Sequence, residues 1–214
     1  MKKTLTVILI LCTAMLFTMA SCKNDAAPSE SADKNNLPDV VTGTIVFKDY
    51  GTMKFEVYPN LARESSLNFI YLANQKFYDG IVVHRLIEDF VIQAGAYTTG
   101  YQEKKFDNPY NIIGEFSKNG IENTIKHEKG VLSWARANAF NSASTQFFIC
   151  TGDESVVHLD NAYAAFGRIT EGFDVIDAIN IQAVDANNMP LEEIMIESVT
   201  VDSDYDFPEP DFIR

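Results

Sequence analysis

The feature that most constrains the fold is a series of short strand patterns, interrupted by only two stretches of helical periodicity. Residues 42–48 and 52–58 alternate apolar with polar side chains, and Asp49-Tyr50-Gly51 between them is a turn signal. Two alternating runs joined by a short glycine-containing turn predict an antiparallel hairpin. The fold is therefore expected to begin with two paired strands.

Two segments carry the spacing of apolar residues that is typical of amphipathic helices. The first covers residues 61–76, and Asn60 directly before it has a side chain suited to an N-cap. The second covers residues 171–179, with Phe173 on the side expected to be buried. These patterns predict two helices that are far apart in the sequence.

The other regular patterns are short strands, at residues 81–86, 90–93, 131–135, 147–150, 163–168 and 194–201. The last one changes phase near Glu197 and Ser198, which predicts a bulge. Because strands and helices do not alternate regularly, the order predicts an antiparallel barrel or sandwich with helices at its ends.

Two segments show no regular pattern. Residues 96–129 are long, polar and irregular, and long connections of this kind in a compact domain are more often functional than idle. Residues 204–214 are acidic and contain prolines, which predicts a loosely packed tail.

The amino terminus has the pattern of an export signal. Lys2 and Lys3 precede an apolar run, and the small residues Ala20 and Ser21 precede Cys22. This predicts a signal peptide over residues 1–21 and, by resemblance to a bacterial lipobox, a lipidated Cys22. Residues 22–38 are then a flexible tether, residues 39–203 the folded domain, and residues 204–214 the tail.

Two other interpretations of the amino terminus remain open. One is an ordinary signal peptide followed by an incidental cysteine, and the other is an uncleaved anchor helix. The lipobox interpretation places the protein on the outer face of the bacterial cell membrane or on a periplasm-facing envelope surface, held through its lipid.

Charge and motif content exclude several classes of function. The net charge of −13 argues against a nucleic-acid partner, because such partners require clustered lysine and arginine. GxSxG, HExxH, CxxC and phosphate-binding glycine loops do not occur, and the three histidines have no acidic or cysteine partner at ligand spacing. We therefore expect no metal and no cofactor, and Cys150 in an apolar strand is expected to be a small buried residue.

Arg85 is the unusual charged residue, since it lies inside an apolar strand pattern. Burial of an unpaired charge is unfavourable, so Arg85 either forms a buried ion pair or lines a cleft. Gln146 and Phe148, where a polar loop enters an apolar strand, are a second place at which a pocket can form.

Three segments together resemble one protein family: FYDGIVVHRLIEDFVIQAG (77–95), GVLSWARANAFNSASTQFFICTG (130–152) and HLDNAYAAFGRITEG (158–172). They are similar to the cyclophilin family of peptidyl-prolyl cis/trans isomerases, and the likeness extends over about residues 40–201. The resemblance implies a mainly β fold, with a closed eight-stranded antiparallel barrel capped by two α-helices. It implies no cofactor and a proline-containing peptide as substrate.

The resemblance also implies a role for each matching residue. Arg85 corresponds to the catalytic arginine. The other matches are substrate-binding residues: proline-pocket walls at Phe90, Val91, Phe148, Leu159 and Tyr163, polar groups at Gln93 and Gln146, and a peptide-pairing strand at Ala135 and Arg136. Val91 stands where the family usually has Met, and His158 stands where Trp is associated with tight cyclosporin binding.

The expected function is thus prolyl isomerisation that assists the folding of exported proteins, carried out by a monomer. A non-catalytic peptide-binding or chaperone module on the same fold is the alternative, because a fold alone does not establish activity. An envelope structural protein is a third hypothesis. We also expect the fluorescence of Trp134 to change when a proline peptide binds.

Overall fold

The computed structural model describes residues 36–105 and 109–213. The predicted signal peptide, the predicted lipidation site at Cys22 and most of the predicted tether lie outside these residues. In the described part of the chain, no helix combines the length and the apolar character needed to cross a membrane.

The regular elements are short, as the sequence predicts. The helices are α1 (Arg63–Asn74) and α2 (Phe173–Asn180). Short 3-10 helices cover Thr99–Tyr101, Ser117–Asn119 and Glu154–Leu159. The strands are β1 (Val41–Phe47), β2 (Gly51–Val57), β3 (Ile81–Val82), β4 (Arg85–Ile87), β5 (Val91–Ala94), β6 (Tyr97–Thr98), β7 (Gln102–Glu103), β8 (Val131–Trp134), β9 (Phe147–Cys150), β10 (Ala165–Glu171) and β11 (Ile196–Val201).

The predicted hairpin and the predicted bulge are both present. Strands β1 and β2 pair along their whole length, from Val41 opposite Val57 to Phe47 opposite Gly51. On the other side of β1, the register with β11 shifts so that Glu197 has no partner in the ladder. The change of phase in the sequence therefore does mark a bulge.

The main sheet has eight antiparallel strands in the order β11-β1-β2-β10-β8-β9-β5-β4, and a second sheet has the order β3-β6-β7. The expected closed barrel is wrong, because the edge strands β4 and β11 form no ladder with each other. Contacts near this gap are single bonds, such as Leu86 N–H to the Asn188 carbonyl at 2.8 Å and an isolated bridge between Val82 and Met195. The segment that runs past the gap contains Pro190, which lacks an N–H donor for a continuous ladder.

Helix α1 begins differently from the prediction. Its N-cap position is Ala62, which offers no capping side chain, and the Asn60 amide instead donates to the Leu37 carbonyl and to Asp39. The free N–H groups of the first turn donate to Glu115, from Glu64 N at 3.1 Å and from Ser65 N at 2.8 Å. The irregular 96–129 segment thus supplies the helix cap that the local sequence lacks.

The main core lies between α1 and one face of the sheet, which we call the inner face. The ring of Phe69 contacts five other rings at centroid distances from 5.1 to 6.5 Å, those of Phe55, Tyr78, Trp134, Phe147 and Phe166. Edge-to-face contacts dominate this cluster, as expected for packed aromatic rings. The single tryptophan of the chain belongs to this core.

The opposite face of β5, β8, β9 and β10, which we call the outer face, carries a smaller apolar cluster. It consists of Val91, Val131, Phe148, Cys150 and Ala165, covered by Val156 and Leu159 from the 3-10 helix Glu154–Leu159. Burial raises the pKa of the Cys150 thiol strongly, in agreement with its predicted role as a small apolar residue. Strands β8 and β9 are therefore buried on both faces.

Two expectations about peripheral residues are wrong. Phe173 is 39% exposed, and α2 packs through Val175, Ile176 and Ile179 instead. The tail is docked and not loosely packed, because Phe212 contacts the rings of Tyr71 and Tyr110 at 5.6 and 4.2 Å. Ile213 also exchanges two backbone hydrogen bonds of 2.8 Å with Asn111, which ties the tail to the 96–129 segment.

Candidate active site

The candidate site follows one row of residues across the outer face of the sheet. Arg85 on β4 lies opposite Gln93 on β5, Gln93 opposite Phe148 on β9, and Phe148 opposite Ser133 on β8. Side chains on neighbouring strands in such a row point to the same face. Strand pairing therefore brings residues that are distant in the sequence side by side.

A pocket of about 240 Å³ opens above this row. It is lined by Arg85, Phe90, Val91, Gln93, Ala135, Arg136, Phe148, Leu159 and Tyr163. Gln146 is the remaining candidate residue, and it lines an adjoining pocket of about 340 Å³ together with Gln93, Ala135, Arg136, Ala137, Ser142, Ser144 and Thr145. Pockets for drug-sized ligands have volumes of roughly 300–1,000 Å³, so the first pocket suits a group of about one ring.

A chain of polar contacts orients Arg85. Its Nη1 donates to Gln93 Oε1 at 3.3 Å, and Gln93 Nε2 donates to Gln146 Oε1 at 3.0 Å. The Arg85 guanidinium also lies 5.8 Å from the centroid of the Phe90 ring. Burial lowers the pKa of His84, opposed by a hydrogen bond with Gln146 and reinforced by the charge of Arg85. The imidazole beside Arg85 is therefore neutral at pH 7.

Gly95 allows the Gln146 loop to approach β5. Its φ is +106°, and a Cβ at this position would lie 2.3 Å from the Thr145 carbonyl oxygen and 2.8 Å from Gln146 Cα. A side chain is therefore incompatible with this close contact between backbones. Gly95 therefore allows Gln146 to reach Gln93.

Arg136 holds the opposite wall of the pocket. Its Nε and Nη2 donate to the Ala162 carbonyl at 3.1 and 2.9 Å, and its guanidinium lies 4.7 Å from the Tyr163 ring centroid. The rings of Phe116 and Phe140 are each 5.2 Å from the same guanidinium. Arg136 thus joins the end of β8 to the loop that carries Tyr163.

A buried polar network holds the same loop from beneath. The backbone N–H and the Nδ1 of His127 lie 2.9 and 3.0 Å from Asp160 Oδ1, and His127 Nε2 lies 3.0 Å from Ser133 Oγ. The His127 ring stacks on Phe148, with centroids 6.3 Å apart. Ser133 is fully buried, so the Ser–His–Asp arrangement has no access to substrate and is structural.

The pKa values of this network agree with the geometry. Burial lowers the pKa of His127, although Asp160 opposes the shift, so the ring is neutral. Burial raises the pKa of Asp160, but the hydrogen bonds from His127 and Lys126 outweigh it and the net shift is downward. A carboxylate that accepts from His127 N and Nδ1 leaves Nε2 to accept from the Ser133 hydroxyl.

Several residues at the site are not apparent from the sequence patterns. Phe116, His127 and Asp160 support the pocket walls, and His158 stacks on Phe90 at a centroid distance of 5.5 Å. Phe116 and His127 belong to the irregular 96–129 segment. The length of that segment was the only sequence signal that it has a functional role. Trp134 is not at the site: its Nε1 donates to the Ser65 carbonyl at 3.2 Å in the main core. The expected fluorescence change therefore loses its basis.

Comparison with known proteins identifies the family of the chain. The profile of the family described as Cyclophilin type peptidyl-prolyl cis-trans isomerase/CLD matches residues 42–201. A peptidyl-prolyl cis-trans isomerase of Acinetobacter baylyi is 34% identical over 160 residues, which cover 72% of this chain and 81% of that protein. Peptidyl-prolyl cis-trans isomerase B of Escherichia coli is 31% identical over 163 residues, which cover 72% of this chain and 95% of that protein.

Solved structures give the same result. The crystal structure of a Cryptosporidium parvum cyclophilin type peptidyl-prolyl cis-trans isomerase superposes with a TM-score of 0.66 at 26% identity, covering 78% of this chain and 99% of that one. A structure of a cyclophilin type isomerase from the same organism in the presence of the dipeptide Ala-Pro has a TM-score of 0.64 at 26% identity, covering 77% of this chain and 99% of that one.

Fold, pocket and sequence define an enzyme of the class that isomerises peptide bonds preceding proline. The chain belongs to the cyclophilin type peptidyl-prolyl cis-trans isomerase family.

Proposed function

We propose that this protein isomerises X–Pro bonds in exported polypeptides near the outer face of a bacterial membrane, with Arg85 as its catalytic residue. One observation carries the catalytic part: Arg85, Gln93 and Phe148 lie in one cross-strand row that lines a pocket of about 240 Å³. The Cryptosporidium parvum relative studied with Ala-Pro supports a proline-containing peptide as the ligand.

The reaction needs placed charge more than covalent chemistry. Rotation about an X–Pro bond is slow because amide resonance gives a barrier of about 20 kcal/mol. In the proposed complex the proline ring occupies the pocket formed by Phe90, Phe148, Leu159 and Tyr163. The Arg85 guanidinium donates to the prolyl nitrogen as that nitrogen loses its conjugation, so it stabilises the transition state more than the planar ground state.

The other site residues place the substrate. Gln93 accepts from Arg85 and donates to Gln146, so it fixes the direction of the guanidinium. The backbone of Ala135 and Arg136 continues the line of β8 along both pockets and offers an edge for an extended peptide. No step requires a metal or a cofactor.

The test of catalysis is a coupled isomerisation assay on a short X–Pro peptide. We expect wild type to accelerate exchange and Arg85→Ala to lower kcat/KM by about 100- to 1,000-fold, as for removal of one transition-state donor. Arg85→Lys should recover part of the loss. A wild-type protein that binds the peptide without accelerating exchange would instead be the non-catalytic peptide-binding module.

The export part of the proposal rests on the first 38 residues. A basic start, an apolar run and Ala20-Ser21-Cys22 fit a lipidated and tethered protein. Metabolic labelling with a fatty acid analogue should mark the wild type and be lost in Cys22→Ser, with Cys12→Ser as the matched control. Equal labelling of wild type and Cys22→Ser would rule out this anchor. A monomer is proposed as the working state, to be checked by light scattering.

A further inference from the structure

The four arginines among the described residues fall into two groups. In the described residues, Arg63 pairs with Glu64, and Arg168 lies 3.5 Å from Glu128. Arg85 and Arg136 have no carboxylate within ion-pair distance anywhere in the described chain. The sequence has 30 acidic against 17 basic residues, so partners for arginine are abundant. The two unpaired arginines are the two that line the candidate site.

The second pocket extends the first toward a polar surface. The two pockets share Gln93, Ala135 and Arg136, so a peptide whose proline fills the first has neighbouring residues beside the second. Successive residues of an extended chain are about 3.3 Å apart, so a residue within two positions of the proline reaches it. Neither pocket is lined by Asp or Glu.

The charge of Arg136 is fixed in position and not neutralised. Its side chain donates to the carbonyls of Ala162 and Ala137, at 2.9 Å each for Nη2 and Nη1. It is also held among the rings of Tyr163, Phe116 and Phe140. Carbonyl oxygens and ring faces orient a guanidinium but leave its full positive charge. A charge that is already ordered binds an anion with little further loss of side-chain entropy.

We propose that the second pocket makes this isomerase selective for peptides that carry Asp or Glu within two residues of the proline, with Arg136 as the specificity determinant. This inference rests on the proposed function and names its substrate class. A substrate carboxylate supplies the ion pair that the protein itself withholds from Arg136. The negative charge of the rest of the protein acts weakly there, because the Debye length is about 8 Å at physiological ionic strength.

The primary test compares peptides that differ at one position. A set of Pro peptides carries Glu, Gln or Lys at each of the two residues on either side of the proline, and two-dimensional exchange NMR measures kcat/KM and affinity for each. At one position at least, we expect kcat/KM for the Glu peptide to exceed that for the Gln peptide by about fivefold. This factor is near the upper range for a partly exposed ion pair. Lys should fall below Gln, and 1 M NaCl should reduce the preference for Glu.

Three variants assign the preference to Arg136. In Arg136→Gln the ratio of kcat/KM for the Glu peptide to kcat/KM for the Gln peptide should fall to about one. In Arg136→Lys this ratio should be retained in part. Arg168→Gln is the matched control, because it removes an exposed arginine outside both pockets, and it should keep the wild-type ratio. The ratio is read within each variant, so a general loss of activity does not obscure it.

The outcomes separate the two proposals. Equal kcat/KM for Glu and Gln peptides at every position in wild type would overturn the selectivity while leaving isomerisation intact. A preference for Glu that survives Arg136→Gln would overturn the role of Arg136. If no peptide is isomerised, the proposed function fails, and the measured affinities alone then show whether the pocket selects acidic peptides.

Discussion

The inner and outer faces of strands β5, β8, β9 and β10 have different roles. On the inner face, side chains such as Phe147, Trp134 and Phe166 pack against Phe69 of α1 and leave no opening. On the outer face, the alternate residues of these strands are covered only by loops and a 3-10 helix. These loops and the 3-10 helix leave part of the outer face uncovered, and the pocket lies at that uncovered part.

The difference lies in how each cover is attached. Helix α1 is held by a continuous aromatic core. The outer loop, which carries Leu159 and Tyr163, is held by individual polar contacts, from Arg136 to the Ala162 carbonyl and from His127 to Asp160. An apolar core excludes water and resists change, while a few polar anchors can hold a loop against an open pocket. The inner face should therefore control stability, and the outer face should control substrate binding.

Neighbouring phenylalanines on β9 give the sharpest contrast, because Phe147 faces the inner core and Phe148 faces the pocket. Phe147→Ala should lower the free energy of unfolding by about 3–5 kcal/mol, since it leaves a cavity among packed rings. Phe148→Ala should lower it by less, because one side of the ring already borders a void, but it should raise KM more. Denaturant unfolding measures the change in stability, and the isomerisation assay measures the change in KM. A greater loss of stability in Phe148→Ala than in Phe147→Ala would contradict the contrast.

Removal of the buried anchor of the outer loop should have the next largest effect. Asp160→Ala leaves the backbone N–H and ring N–H of His127 without their acceptor, which should lower stability by about 1–3 kcal/mol. Because the loop carries Leu159 and Tyr163, KM should rise while kcat changes less. Asp177→Ala, which removes an exposed ion pair with Lys129, is the control and should change stability by at most about 0.5 kcal/mol.

Two histidines with a lowered pKa, the partly buried His84 and the buried His127, predict how stability depends on pH. His84 and His127 both have a lowered pKa in the folded protein, so the unfolded chain binds protons first as the pH falls below about 6.5. Stability should therefore decrease from pH 7.5 to pH 5.5, by up to about 1.4 kcal/mol per pH unit for each histidine. The lowered pKa of Asp160 contributes a separate loss, only at lower pH.

Two variants assign this pH dependence. His127→Gln and His84→Gln should each reduce the slope of unfolding free energy against pH between 7.5 and 5.5, because each removes a histidine whose pKa is lowered by burial. Melting temperatures of both variants and of wild type across this range provide the measurement. An unchanged slope in His127→Gln would mean that this ring does not titrate as the buried geometry implies.

The inner face could be predicted from the sequence, and the outer face only in part. Alternation located β1, β2 and even the bulge at Glu197, because one side of each strand is apolar and the other is not. Strands β8 and β9 are buried on both faces, so their residues VLSW and FFIC carry no pattern that separates core from pocket. There the residues of the site came from family resemblance and not from periodicity.

Long-range contacts account for the rest. The cap of α1 comes from Glu115, the support of Phe148 comes from His127, and neither partner is near in sequence. The open edge between β4 and β11 also depends on an irregular segment, whose path no local pattern specifies. Such contacts follow from tertiary packing, which overrides local preference.

The smallest predicted effect is kinetic, and it tests the attachment of the outer loop directly. Cys150 lies on the outer face beneath the loop cover, and burial raises the pKa of its thiol, so a thiol reagent should label it only when the cover opens. In a Cys12→Ser, Cys22→Ser background, Asp160→Ala should label several-fold faster than the parent while still folded. Phe147→Leu, which loosens the inner core, should accelerate labelling only in proportion to global unfolding. Labelling that tracks global stability in both variants would show that the outer cover does not open by itself.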